Sequence, residues 1–316
     1  MRQDGEASPV APGSLADLVR WSPDEGVTTR YLQSEGDTFR WPIIVIDDFF
    51  REPDLVRDLA LSLDYRRRRS GYPGLDASIA VPRWPLTQVM ARACARVYGE
   101  TWNIQVTGAG SRVSFGNDQQ VPETQAVRAT QRLDEYWRVP IEQLAGEDIV
   151  TFSILKIPEI PDFFPKSFDV GTPIAHCDRI QRDHLVFSVV VYLTRDTRHG
   201  GTVFMRHRDT GLVAMPAGGQ AFLSKAMKRH GARTSGELLQ CITWSSIRRT
   251  GRVDAWNIEE NLAWKYNRLV AFPGNLLHSI DLAKPRSIPE SLDEYRLTLN
   301  GFVDIYASAL PGEYSD

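Results

Sequence analysis

The sequence predicts a mainly β domain with an α-helical layer at its N-terminal end, and three observations carry that prediction. Short β-rich runs separated by turn residues dominate residues 149–303, the texture of an all-β sandwich or barrel. Helical periodicity lies mostly upstream, before residue 100. No regular strand–helix alternation of the α/β kind runs through the chain.

Taken in order, residues 1–40 are rich in Pro, Gly, Ser and acidic residues and read as a partly ordered arm. Trp41 to Phe50 (WPIIVIDDFF) is a short apolar run of strand type. Pro53 then suits a first helical turn, and Leu55, Val56, Leu59 and Leu63 recur at helical spacing. A second helix is expected over 86–98, with Gly99 placed to end it. The RRRRSGYPG segment (66–74) reads as a surface loop, and residues 103–135 as loops or an edge hairpin.

After Asp148 the strand candidates are IVTFSILKI (149–157), LVFSVVVYL (185–193), TVFMRH (202–207), QAFL (220–223), RLVAF (268–272) and YRLTLNGFV (295–303). Gly200-Gly201, Gly218-Gly219 and Pro273-Gly274 supply turns, the first expected as a hairpin. Residues 208–266 interrupt the pattern and read as an insertion that either covers a site or decorates the surface. The organisation expected is an arm (1–40), one domain (41–306) and a tail (307–316). Within the domain, a helical and loop layer (41–148) precedes a β core (149–306).

Composition narrows the function classes. A chain of 316 residues can bury one large core, and a net charge of −3 gives no bulk attraction for nucleic acid or an anionic membrane. No apolar run reaches the roughly 18 residues of a membrane span, and no secretory signal is visible at the N-terminus. A cytoplasmic protein is expected. Cys94, Cys177 and Cys241 are too scattered for a disulfide framework or a C-x-x-C knuckle. Arginine outnumbers lysine 31 to 6, the bias of GC-rich bacterial coding.

The residues that carry chemistry begin with His176 and Asp178, an H-x-D in GTPIAHCDRIQRDH. In an extended segment residues i and i+2 share a face, so imidazole and carboxylate converge while Cys177 turns away. His278 closes RLVAFPGNLLHSI, where a strand and a Pro-Gly turn would set it at a barrel mouth. In YRLTLNGFV, period-2 alternation places Arg296, Thr298 and Asn300 on one face and Leu297 and Leu299 on the other. An inward Arg296 offers a two-pronged donor set to a carboxylate, with Thr298 adding a hydroxyl. His184, His207 and His230 read as surface residues, the last set among Lys225, Lys228 and Arg229.

In this order, H-x-D, a distant His, then Arg with a nearby Thr, the elements resemble the 2-oxoglutarate- and Fe(II)-dependent dioxygenases. VVVYLTRDTRHGGTVF and LVAFPGNLLHSI are similar to stretches of the prolyl-4-hydroxylase-like group, and IVIDDFFREPDLVRDLAL to its N-terminal strand and helix. The resemblance implies a double-stranded β-helix (jelly-roll) core with N-terminal helices packed on it. It implies that His176, Asp178 and His278 hold Fe(II), with three positions left for 2-oxoglutarate and O2. Arg296 and Thr298 would hold the far carboxylate of 2-oxoglutarate, with Tyr192 as a further hydroxyl. Arg286, nearer to His278, sits at a spacing some relatives use but in a Pro-bounded loop, so Arg296 is preferred.

The activity implied is hydroxylation of an unactivated C–H bond, with 2-oxoglutarate converted to succinate. Halogenating relatives lack the carboxylate that Asp178 provides, while desaturation, epoxidation and cyclisation share its ligand set. The substrate expected is an amino-acid-like, peptide or natural-product molecule of bacterial biosynthesis, free or on a carrier protein. A barrel that binds metal or a small ligand without turnover is the alternative. A Cys177–His176 hydrolase is disfavoured, because adjacent strand residues face opposite ways.

Overall fold

The computed structural model describes residues 18, 26–36, 40–67, 74–82, 97, 106–112, 147–155, 174–178, 185–196, 199–215, 220–243, 245–250, 252, 254–281 and 295–307. The architecture is mainly β, built from two antiparallel sheets. The larger holds β1 (Val27–Gln33), β2 (Arg40–Ile46), β3 (Arg66–Arg67), β4 (Gly74–Pro82), β5 (Val106–Arg112), β6 (Glu147–Leu155), β7 (Leu185–Tyr192), β10 (Leu269–Pro273) and β12 (Arg296–Ala307). Its order is β1-β2-β10-β7-β12-β6-β4-β3, with β5 also paired to β12. The smaller sheet runs β11 (His278–Ile280), β8 (Thr202–His207), β9 (Trp256–Leu262).

The two sheets pack face to face around a shared core. Phe272 of β10 meets Phe204 of β8 edge-on at 5.0 Å between ring centres, and Tyr192 of β7 bonds Thr202 of β8 at 2.7 Å. The helix α1 (Pro53–Leu61) starts at Pro53 as expected and buries Val56, Leu59 and Ala60 in that core. Each fully buried Leu, Ile or Phe here contributes roughly 1.5–3 kcal/mol of transfer free energy. The helix expected over 86–98 lies outside the described residues except for Val97, which is buried in the same core.

Several expectations differ from the structure. Residues 27–33, assigned to the arm, form β1 and pair along their whole length with β2. QAFL (220–223) is not a strand but the start of α2 (Gln220–His230); four apolar-rich residues cannot distinguish the two periods. The described part of residues 208–266 belongs to the fold itself. It supplies β9 and the helices α2, α3 (Ser235–Ile242) and α4 (Ser245–Thr250). Ala226, Leu238, Ile242 and Ile247 of those helices form a second core with Val203 and Met205 of β8, behind the small sheet. Much of the helical layer therefore comes from the insertion.

Gly200-Gly201 does not make a hairpin either, because β7 and β8 belong to different sheets. The pair carries the chain across the sandwich at close quarters. A Cβ on Gly200 would lie 1.7 Å from the carbonyl oxygen of Asp281, and one on Gly201 1.7 Å from that of Leu262. Both obstacles are backbone, so no side chain fits.

Candidate metal centre

Antiparallel pairing builds the site from two strand-like pieces, residues 174–178 and β11. His176 and His278 are directly opposite, exchanging two backbone hydrogen bonds of 2.9 and 3.0 Å. Residues paired this way project to the same side of a sheet, and so does the residue two positions on. His176, Asp178 and His278 must therefore point together. The segment is pinned at both ends: Asp178 N–H donates to the Gly274 carbonyl at 2.8 Å, and Ile174 N–H to the Ser279 hydroxyl at 3.3 Å.

The three side chains meet as that register requires. One ligand atom from each lies within 4.8 Å of the others, a group that could hold a metal ion. His176 Nε2 is 3.6 Å from Asp178 Oδ1 and His278 Nε2 is 3.3 Å from Oδ2, while the two imidazole centres are 4.2 Å apart. Side-chain exposure falls from 39 % at His176 through 23 % at Asp178 to 6 % at His278, so one flank of the group opens to solvent and the other is wall. Phe272, 4.5 Å from the His278 ring, is part of that wall.

Protonation favours metal binding. His278 Nδ1 is 2.8 Å from the Leu276 carbonyl, which can only accept, so Nδ1 carries a proton and Nε2, turned towards Asp178, is the ring nitrogen left for a metal. Burial, reinforced by neighbouring His278, pushes His176 down to about 4 against the partial opposition of Asp178. It is neutral near pH 7. Burial alone would raise Asp178, but His278, His176 and the Ser188 hydroxyl outweigh it and hold the carboxyl well below its usual range. Two imidazoles and one carboxylate are a donor set suited to a divalent metal, of the 2-His-1-carboxylate type.

Cys177 points away, its thiol donating to the Asn275 carbonyl at 3.2 Å. Burial and the nearby Asp178 push that thiol up and keep it unreactive. The Pro-Gly turn thus serves the site three times, through the carbonyls of Gly274, Asn275 and Leu276.

The other sequence-chosen residues form a second cluster on the inner face of the large sheet. Thr298 pairs with Tyr192, Asn300 with Val190 and Phe302 with Ser188, so β7 and β12 present one common row. Arg296 is 4 % exposed; its Nε donates to the Gly200 carbonyl at 3.3 Å, and its guanidinium lies 5.0 Å from the Trp264 ring and 5.7 Å from that of Tyr192. Burial raises Tyr192, whose hydroxyl is shared with Thr202. Arg286 and His184 lie outside the described residues.

Two residues expected at the surface are not there. His207 is 2 % exposed and lies against His230, the rings tilted with 5.4 Å between centres, while His230 is half-buried at the end of α2. Sequence reading also missed Ser188 and Trp264. Ser188 had a signal, a lone hydroxyl in the apolar run LVFSVVVYL.

Fold and site together define a mainly β protein with a His-Asp-His group able to hold a metal. Over residues 162–303 the chain is similar to a family described as a family of unknown function (DUF6445), a span that contains His176, Asp178, His278, Tyr192, Arg296 and Thr298. No curated protein matches the chain. Among the described residues, no helix is long and apolar enough to cross a membrane.

Proposed function

We propose that the chain is a 2-oxoglutarate- and Fe(II)-dependent dioxygenase with a jelly-roll core, hydroxylating an amino-acid-like, peptide or natural-product substrate in the cytoplasm. The observation that carries the reading is a shared face. Ser188, which touches Asp178, and Tyr192, which touches Arg296, lie on the same inward row of β7. A ligand bound at the metal group would extend along that row towards the guanidinium. The crossings from β7 to β8 and from β10 to β11, each between sheets, suit a jelly-roll.

His176, Asp178 and His278 would hold iron, which with bound 2-oxoglutarate and O2 supplies the oxidising chemistry. The chain's own residues do the rest. Two imidazole ligands and one carboxylate would bring a metal one formal negative charge, leaving it positive enough to take a dianionic co-substrate. Arg296 is fixed against Trp264 and Tyr192 and offers a charge-assisted, two-pronged contact to a distal carboxylate. Thr298 stands beside it at 2 % exposure. The Phe204, Phe272 and Tyr192 side chains exclude water from the inner wall, which protects reactive species from quenching.

Anaerobic titration of 2-oxoglutarate into the Fe(II)-loaded protein tests the reading. A weak visible charge-transfer band from a chelated keto acid is expected, absent in Asp178→Ala. Iron binding without that band would leave a metal-binding barrel in place of the dioxygenase.

A further inference from the structure

We propose that Ser188 is the positioning residue of the metal centre, fixing the Asp178 carboxylate so that it meets each histidine through a different oxygen. The inference rests on the metal half of the proposed function and not on 2-oxoglutarate. Ser188 is 3 % exposed, in the middle of β7, within a strand whose neighbours are all apolar or aromatic. A hydroxyl buried there needs a hydrogen-bond partner to offset its lost hydration. Its Oγ lies 2.6 Å from Asp178 Oδ2. An ionised carboxylate only accepts, so Ser188 donates, and the contact is the short, charge-assisted kind.

The direction of that bond matters. It reaches across the sandwich, because Ser188 belongs to the large sheet and the ligands to the small sheet and its edge. Backbone bonds hold the Asp178 main chain but leave its carboxylate free to turn about Cβ–Cγ. Ser188 removes that freedom. With Oδ2 held by the hydroxyl and facing His278 Nε2, Oδ1 is left facing His176 Nε2. A carboxylate so held favours binding a metal through one oxygen, which keeps coordination positions open.

The test is a titration of Co(II) alone into apo-protein, read by affinity and by the visible d–d spectrum. Ser188→Ala is expected to weaken Co(II) binding about 10–100-fold, the usual cost of losing an outer partner of a ligand. Its bands should also become weaker as the carboxylate turns to bind through both oxygens. Ser188→Thr, which keeps the hydroxyl, should recover both properties. A merely structural serine would shift the melting temperature of the apo-protein and leave the spectrum unchanged. Affinity within twofold of wild type and an identical spectrum in Ser188→Ala would overturn the proposal. Failure of the wild type to bind Co(II) would overturn it together with the metal centre. Co(II) binding without a 2-oxoglutarate band would instead sink the dioxygenase reading and leave the Ser188 result standing.

Discussion

Two histidine pairs flank the small sheet, and they differ in one respect that decides what each can do. His176 and His278 lie 4.2 Å apart at its β11 edge, and His207 and His230 lie 5.4 Å apart at the far end of β8. In both pairs burial depresses a histidine, His176 and His207 each to about 4. The first pair shares a carboxylate that touches both Nε2 atoms. His207 instead has the Thr210 hydroxyl, 3.0 Å from its Nδ1, and lies between the half-buried His230 ring and Trp256. Closeness of imidazoles and loss of charge are therefore not the marks of a metal site. Convergence on an anion is.

The most severe way to break this contrast is to move the metal. His176→Ala and Asp178→Ala should each abolish metal binding and any iron-dependent turnover, a larger effect than the roughly 10–100-fold loss for an outer partner. His207→Ala and His230→Ala should leave affinity within a few-fold of wild type in the same isothermal titration. Metal that follows the second pair would reverse the assignment.

A smaller effect separates co-substrate from metal. Arg296→Ala should raise the 2-oxoglutarate concentration needed for half-maximal succinate formation at least tenfold while metal affinity stays unchanged. An unaltered requirement would transfer the role to Arg286.

The smallest effect concerns acid. A histidine depressed in the folded state takes its proton in the unfolded chain first, so its stabilising contribution is complete above about 6.5 and is lost as pH falls towards about 4. Solvent at the edge of His176 reduces its share, so the buried His207 should dominate, with an upper limit of about 3 kcal/mol. Urea unfolding of apo-protein at pH 7.5 and 4.5 measures the loss, and His207→Asn should flatten it. Equal slopes in wild type and variant would mean that the second pair is not held neutral by the fold.

How much of this was legible in the sequence depended on whether a local pattern or a distant contact was involved. His176 and Asp178 follow from strand alternation, and the Arg296–Thr298 face from the same rule, so both could be read directly. The strands β7, β8 and β10 carried apolar runs and β12 a clear alternation, so all four stood out. The helix α2 did not, because its apolar start is too short to show a period. The burial of His207 depends on helices brought over β8 from elsewhere in the chain, which no local window reveals. The nine-residue strand β4 (GLDASIAVP) was hidden by its glycine, proline and small residues. Ser188 was visible as an oddity, but its partner, Asp178, sits on the other sheet.

The bridge between His176 and His278 also has a consequence for how the chain folds. The two residues are 102 positions apart (278 − 176), so an unfolded chain offers a metal only the H-x-D end. Bringing the third ligand in requires closure of a very long loop and assembly of the small sheet, and that entropy must be met before binding returns anything. Metal affinity then belongs almost wholly to the native state. At a free metal concentration of a hundred times Kd, mass action would add about 2.7 kcal/mol to global stability. The ion would act on this protein as a thermodynamic clasp, closing last and releasing first.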